Sequence, residues 1–151
     1  MRTLGYATHA RAVIGFDHVG EDLPGLLRES DVVVNILPST PATRGLLDGG
    51  ALEACGRGKL FINVGRGTIV SEESLLAALE RGWLRRAVLD VFAPEPLPES
   101  SALWGHPAVQ VTPHISAVTY PDFTAELFVE NLGRYVEGQP LKYTMDLDSG
   151  Y

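Results

Sequence analysis

Asp31-Val32-Val33-Val34-Asn35-Ile36-Leu37, closed by Pro38, is the stretch on which the fold turns. The run is nearly continuous and β-branched, which predicts a strand buried on both faces, as in a parallel sheet. An apolar run of this kind suits a buried helix as well, but its short length and β-branched content favour a strand. The same grammar recurs three times. Leu60 to Val64 runs into Gly65, Ala87 to Phe92 runs into a proline cluster, and Val109 to Thr112 runs into Pro113. Near the amino terminus, Val13-Ile14-Gly15-Phe16 reads as a further short strand.

Helical patterns lie between the runs. Ser71 is a good N-cap, Glu72 and Glu73 suit the positive end of the helix dipole, and Leu75, Leu76 and Leu79 make one apolar stripe that stops at Gly82. Residues 40–54 read as weaker helical turns broken by glycine. Thr119 and Asp122 have the spacing to cap a last helix, with Pro121 in its first turn. Phe123, Leu127, Phe128, Leu132, Tyr135 and Val136 then recur at spacings of three and four before Gly138 and Pro140 end the helix. The tail from Leu141 to Tyr151 has no periodic pattern and must pack on something or fray. Alternation of strand and helix predicts an α/β unit with right-handed crossovers.

Composition narrows the function classes. The chain has 151 residues, with 12 lysine and arginine against 19 aspartate and glutamate, a formal charge of −7. That sign opposes bulk neutralisation of phosphates, so nucleic acid is not an expected partner. No run of about 18 apolar residues occurs, so no membrane partner is expected either. The amino-terminal stretch carries Arg2 and Arg11 without acids, a faint likeness to a transit peptide that lacks a clean amphipathic face. The single Cys55 suits a reducing compartment, offers no metal cluster and reads as an inert thiol, so a soluble cytoplasmic protein is expected.

In an open parallel sheet, ligands bind beyond the carboxyl ends of the strands. Those positions hold Gly65-Arg66-Gly67, Asp90 followed by Glu95 in its proline-rich loop, and Pro113-His114-Ile115-Ser116. Each charged residue has a plain structural reading taken alone: a capped strand end, a solvated charge, a satisfied loop histidine. Together on one edge they suit hydride transfer to a 2-oxo acid. Arg66 offers a planar fork matched to a carboxylate, and His114 donates a proton to the carbonyl oxygen. Glu95 holds the imidazole and favours its charged form. The glycines beside Arg66 let backbone approach a flat nicotinamide ring.

These residues are recognisable. Asn63-Val64-Gly65-Arg66-Gly67, Leu89-Asp90-Val91-Phe92 leading to Glu95-Pro96-Leu97-Pro98, and Thr112-Pro113-His114 resemble the carboxyl-terminal part of the D-isomer-specific 2-hydroxyacid dehydrogenases. Leu37-Pro38 with Thr40-Pro41 and Thr43 to Leu47 also looks like that family. The resemblance covers about residue 22 to the end. Trp104-Gly105-His106-Pro107, Pro113 to Ala117 and the terminal Gly150-Tyr151 look most like the glyoxylate and hydroxypyruvate reductase branch.

The resemblance implies that Arg66, Glu95 and His114 are catalytic. It further implies that Pro38, Thr43, Val64, Gly65, Arg66, Asp90, His114 and Ser116 lie along an NADP or NAD cofactor, with Asp90 near the carboxamide. Gly65 stands where the family commonly has alanine or serine, a change expected to be tolerated. Arg2 would meet the 2′-phosphate that distinguishes NADP, unless the amino terminus is disordered. The family's Gly-x-Gly-x-x-Gly turn is not found in the sequence, and neither is a substrate lobe. The expected fold is therefore a partial Rossmann-like parallel sheet with flanking helices, lacking the first βαβ unit and beginning just after the family's second strand. Residues 1–118 would form the partial dinucleotide-binding domain. Residues 119–151 would form a helix and tail that pack on the absent substrate domain. The expected function is that of a partial NAD(P)-dependent 2-hydroxyacid dehydrogenase acting on a small 2-oxo or 2-hydroxy acid. It would work as a homodimer or with a missing amino-terminal half, and the isolated chain is expected to be inactive. The alternative is a catalytically silent form or a binding module.

Overall fold

The computed structural model of the chain describes residues 1–7 and 12–146, so Arg11 and the terminal Gly150-Tyr151 lie outside the described residues. In chain order the elements are β1 Leu4–Tyr6, β2 His18–Gly20, α1 Leu23–Glu29, β3 Val32–Asn35, β4 Lys59–Asn63, α2 Glu72–Glu80, β5 Leu84–Leu89, β6 Val109–Val111 and α3 Pro121–Val136. Short 3-10 helices occupy Ala51–Cys55 and Gly67–Ile69. The four runs marked in the sequence become a four-stranded parallel sheet in the order β3-β4-β5-β6, with Val33 opposite Phe61 and Phe61 opposite Ala87. The expected α/β Rossmann-like sheet is thus present.

Several details differ from the expectation. Val33 and Asn35 are buried, but Val32 and Val34 are 46% and 52% exposed, so one face of β3 is covered and the other is open, and β3 stands at the edge of its sheet. Val13 to Phe16 form a turn, not a strand: Ile14 projects into solvent and Gly15 has a φ of +90°. The strand comes just after it. The Asp17 carboxylate accepts Thr3 N at 2.6 Å and Thr3 Oγ1 at 2.9 Å, and this clamp sets β2 beside β1 as a separate parallel pair. Two strands and a helix therefore stand before β3, where the sequence suggested a start after the second strand of the fold. β5 begins earlier than the apolar run, at Leu84, since Arg85 and Arg86 are accommodated at exposed positions. The weak helical segment resolves into turns over residues 41–50, with Gly49 and Gly50 at positive φ, before the first 3-10 helix.

The core gathers on Phe61 and Ala87 at the sheet centre, with Leu27 from α1, Leu52 from the 3-10 helix and Leu75 from α2, each at most 2% exposed. Removing a side chain such as Phe61 from water contributes about 1.5–3 kcal/mol. α2 has the predicted caps. Ser71 Oγ accepts Ser74 N at 3.2 Å, and Gly82 beyond the last turn has a φ of +73°.

α3 departs from its expected cap. Tyr120, not Thr119, holds the N-cap position, and no side chain caps the helix; Pro121 at its start has no amide, which leaves one unsatisfied donor fewer there. No α3 residue is buried. The tail folds back onto the helix. Lys142 N donates to Asn131 Oδ1 at 2.8 Å, Arg134 Nε donates to Pro140 O at 2.6 Å, and Lys142 pairs with Glu130. Among the described residues no helix is long and apolar enough to cross a membrane.

Candidate active site

The carboxyl ends of β4, β5 and β6 carry the three turns that the sequence singled out. Their central contact is between His114 and Glu95: Nδ1 of the imidazole lies 2.9 Å from Oε2 of the carboxylate. Glu95 Oε1 is held by the Phe92 amide at 2.8 Å. The amide bond from Phe92 and then the bond to His114 hold the Glu95 carboxyl below its ordinary range, and the nearby Arg66 charge acts in the same direction. The carboxylate is therefore charged at neutral pH, so Nδ1 carries a proton toward it. Nε2 is the atom left for other chemistry.

His114 sits in a left-handed backbone conformation, φ +53°, which costs a residue with a Cβ about 1–3 kcal/mol. Asp90 holds it there. This carboxylate, 2% exposed, accepts Thr112 Oγ1 at 2.5 Å and Ile115 N at 2.9 Å on one oxygen, and Ser116 N at 2.8 Å on the other. Burial by itself would raise its pKa. The bonds from Thr112, Ile115 and Ser116 outweigh burial and hold it far below the ordinary carboxylate value. Asp90 thus clamps both flanks of His114.

Arg66 lies on the turn after β4, exposed, with Nη1 donating to the Gly65 carbonyl at 2.7 Å. No carboxylate pairs with its guanidinium among the described residues, so most of its donors are available. The flanking glycines are also required by the protein's own packing. A Cβ on Gly65 would lie 2.8 Å from the Leu37 carbonyl oxygen, and one on Gly67 would lie 2.0 Å from the Phe92 carbonyl carbon. The backbone there lies close against the neighbouring strand ends. Through Gly67 the Arg66 turn rests on Phe92, whose amide also holds Glu95. Gly65 is likewise fixed by contact with the β3 end, which explains a glycine where alanine or serine is common.

Two buried asparagines brace this arrangement, and sequence reasoning missed them. Asn35 Nδ2 donates to Asn63 Oδ1 at 2.8 Å, and Asn63 Nδ2 donates to Arg66 O at 3.2 Å. The signal available was an amide side chain closing each of two apolar runs, and the sheet pairs them at the same register. Thr112, which bonds Asp90, was likewise passed over.

Other predicted positions scatter. Val64 N donates to Asn35 O, and Gly65 follows it at the same edge. Pro38 and Thr43 belong to the loop after β3, where Thr43 Oγ1 donates to Pro38 O and accepts Thr40 N at 2.9 Å. Ser116 stands on the His114 loop. Arg2 is not brought to this edge. It precedes β1, at the amino end of the strand, and pairs with Glu29 at the end of α1, 2.9 Å away. Cys55 is buried, its thiol pKa pushed up by that burial, which agrees with an inert thiol.

The donor set here fits the nicotinamide end of a dinucleotide: a strand-end backbone, an imidazole and a free guanidinium. Among the described residues, the starts of α1 and α2 are not suited to phosphates. α1 is capped by the Asp22 carboxylate, and α2 carries Glu72 and Glu73 in its first turn, so both helix starts among these strand ends repel anions. Among the described residues no cluster of three or more His, Cys, Asp or Glu is placed to hold a metal ion.

Comparison with known proteins agrees with this geometry. Residues 1–116 match the family described as D-isomer specific 2-hydroxyacid dehydrogenase, NAD binding domain. The match starts at residue 1, so it takes in β1 and β2, which the resemblance read from sequence did not cover. The glyoxylate/hydroxypyruvate reductase A of Photorhabdus laumondii is 39% identical over 137 residues, 91% of this chain but 42% of its own length. A D-isomer specific 2-hydroxyacid dehydrogenase from Xanthobacter autotrophicus Py2, solved with NADPH, superposes with a TM-score of 0.92 at 42% identity, covering 98% of this chain and 62% of that one. An NADPH-dependent glyoxylate/hydroxypyruvate reductase from Sinorhizobium meliloti, solved with NADP, gives 0.90 at 32% identity, covering 98% and 49%. The chain thus spans less than half the length of the Photorhabdus relative.

Proposed function

We propose that this chain, which belongs to the D-isomer specific 2-hydroxyacid dehydrogenase family, carries the proton-transfer and carboxylate-binding groups of an NAD(P)-dependent reductase of glyoxylate or hydroxypyruvate. The observation that carries the proposal is the His114 to Glu95 contact beside the unpaired guanidinium of Arg66. Arg66 binds the substrate carboxylate or its adjacent carbonyl oxygen by paired N–H bonds. His114 gives the proton on Nε2 to the carbonyl oxygen, and takes it back in the oxidative direction. Glu95, charged and fixed by the Phe92 amide, keeps Nδ1 protonated and the ring aimed.

The nicotinamide cofactor, when bound, supplies or accepts the hydride at the substrate carbon. Val64, Gly65, Ser116, Pro38 and Thr43 stand along its side of the edge. Asp90 acts through the position of His114, since three of about four acceptor sites on its carboxylate are already filled by the loop. Arg2, at the other end of β1, has no part in this assignment. The apolar side chains of α3 are the surface offered to the rest of such an enzyme.

The test is NADPH oxidation with glyoxylate by the chain combined with the unmatched part of the Photorhabdus relative. Turnover is expected, and His114→Ala is expected to lower kcat by about 10²–10⁴ while the complex still forms. Near-normal turnover in His114→Ala would remove the proton-transfer role. Absence of turnover in a well-formed complex would remove the reductase reading.

A further inference from the structure

Asn63 closes β4, and its side-chain amide reaches both residues of the turn on which the guanidinium stands. Oδ1 accepts the Gly65 amide at 3.3 Å, and Nδ2 donates to the Arg66 carbonyl at 3.2 Å. One side chain thus grips the backbone on either side of the Gly65–Arg66 peptide. The guanidinium is referred to the same group, because Arg66 Nη1 donates to the Gly65 carbonyl at 2.7 Å. Thr68, two residues on, is held separately: its carbonyl accepts Gly45 N at 2.9 Å, and its hydroxyl donates to Ser39 Oγ at 2.9 Å.

Such a grip works only with the amide facing one way. An asparagine side chain presents an acceptor at one end and two donors at the other. The Leu37 amide donates to Asn35 Oδ1 at 3.1 Å, so the opposite end of Asn35 faces Asn63, and its Nδ2 donates to Asn63 Oδ1 at 2.8 Å. That bond and the Gly65 amide together hold Oδ1 of Asn63 on their side and leave Nδ2 toward Arg66. The two amides form a one-way chain of donors from Leu37 N to Arg66 O. Both are buried, 5% and 1% exposed, where an amide turned the wrong way would leave polar groups unpaired. The sheet sets them opposite each other in register, and Gly65 is shaped to the pair: a Cβ there would come within 2.7 Å of Asn35 Nδ2.

We propose that Asn63 is the positioning residue for Arg66 and that Asn35 sets the direction of its amide, so that a buried amide pair fixes where the guanidinium meets the substrate carboxylate. The inference rests on the reading of Arg66 as the carboxylate-binding group. It leaves the contact of His114 with Glu95, to which neither asparagine is bonded, in its own role.

Asn35→Asp is the discriminating variant. It keeps the shape of the side chain and the acceptor for Leu37 N, but presents no donor to Asn63. The Asn63 amide is then expected to turn over, placing Oδ1 against the Arg66 carbonyl and releasing it. Asn63→Ala removes the grip outright. NMR relaxation of the 151-residue chain reads the outcome at Arg66 Nε–H, with Arg81, whose guanidinium lies 5.0 Å from the Trp83 ring centre, as the internal reference. The order parameter at Arg66 is expected to fall by about a third in both variants while that of Arg81 is unchanged. In the glyoxylate assay, kcat/KM is expected to drop about tenfold or more with no shift in the pH dependence of kcat, because displacing a binding group leaves the proton donor in place.

An unchanged Arg66 signal in a folded variant overturns the proposal. So does an equal loss at Arg66 and Arg81, which would mark general loosening. If neither variant folds, the unaltered chain decides: the Asn63 side-chain amide protons should exchange at least about tenfold more slowly than those of the exposed Gln110, and equal rates overturn the proposal. The spectroscopic readouts need no turnover. Absence of turnover in the unaltered protein, with Arg66 loosened in the variants as expected, counts against the reductase reading and leaves the grip on Arg66 standing. An unchanged kcat/KM in a variant that loosens Arg66 removes the positioning role and leaves the reductase reading intact.

Discussion

Gly67 links the two halves of the site. Its missing side chain lets the Arg66 turn rest on the Phe92 backbone, with a would-be Cβ only 2.0 Å from a carbonyl carbon. Gly67→Ala must push that turn away, and overpacking of this kind costs about 1–3 kcal/mol. Urea denaturation should show the loss, and a change below about 0.5 kcal/mol would mean that the turn moves freely. Glu95 gives a pH prediction. Its pKa in the folded chain lies below the ordinary value of 4.5, so its charge adds stability that is complete above that value. This contribution shrinks as pH falls from 4.5 and is gone below the folded pKa. The stability difference between the native chain and Glu95→Gln should therefore be constant above about pH 5.5 and close at lower pH. A difference unchanged down to pH 3 would contradict the hold of the Phe92 amide and His114 on this carboxylate. Arg66, Glu95 and His114 were legible as candidates because each follows an apolar run that ends in a turn. Their supports were not. Asn63, Asn35 and Thr112 act across strands, and only the register of the sheet tells which polar residue meets which.

Elements were legible in proportion to how much local chemistry specifies them. α2 carries its own start and stop, and the structure keeps both: Ser71 Oγ accepts Ser74 N and donates to Asp48 Oδ1, tying the helix start to the preceding loop. Ser71→Ala should cost about 1–2 kcal/mol by loss of that cap, read as a lower urea midpoint at constant slope. Ser71→Asn, which keeps an acceptor, should recover most of it. Loss of stability in both would point to the Asp48 tie instead. β1 and β2 lack any such signal. They are three residues each and depend on Asp17 reaching Thr3, a contact between residues fourteen apart that no periodicity announces. The exposed face of β3 has the same origin. A β-branched run reports that a strand is well suited to burial on both sides, while actual burial depends on what packs over each face of the sheet.

At the scale of the molecule, the boundary expected between residues 118 and 119 is a proposal that the distribution of buried residues makes testable. The core ends with residues of β5, β6 and the loop between them, and every core member lies before residue 110. Beyond Val118 the helix has no buried residue, and its bonds run within its own segment, from Asn131 to Lys142 and from Arg134 to Pro140. Phe123, Phe128, Tyr135 and Val136 are each more than 60% exposed, so their apolar surface adds nothing to the fold of residues 1–118. A chain ending at residue 118 should therefore unfold with a free energy within about 0.5 kcal/mol of the whole, the range of surface changes that break no buried contact. Differential scanning calorimetry and urea titration at equal, dilute concentration test this directly. A loss above about 2 kcal/mol would show that α3 is held by the core after all. Removal of α3 should also reduce any association of the chain with itself or with a complementing polypeptide through that face, because an apolar stripe of this size is a contact surface rather than ordinary exterior. If association is unchanged in the shortened chain, another surface accounts for it, and α3 is left as a solvent-facing arm.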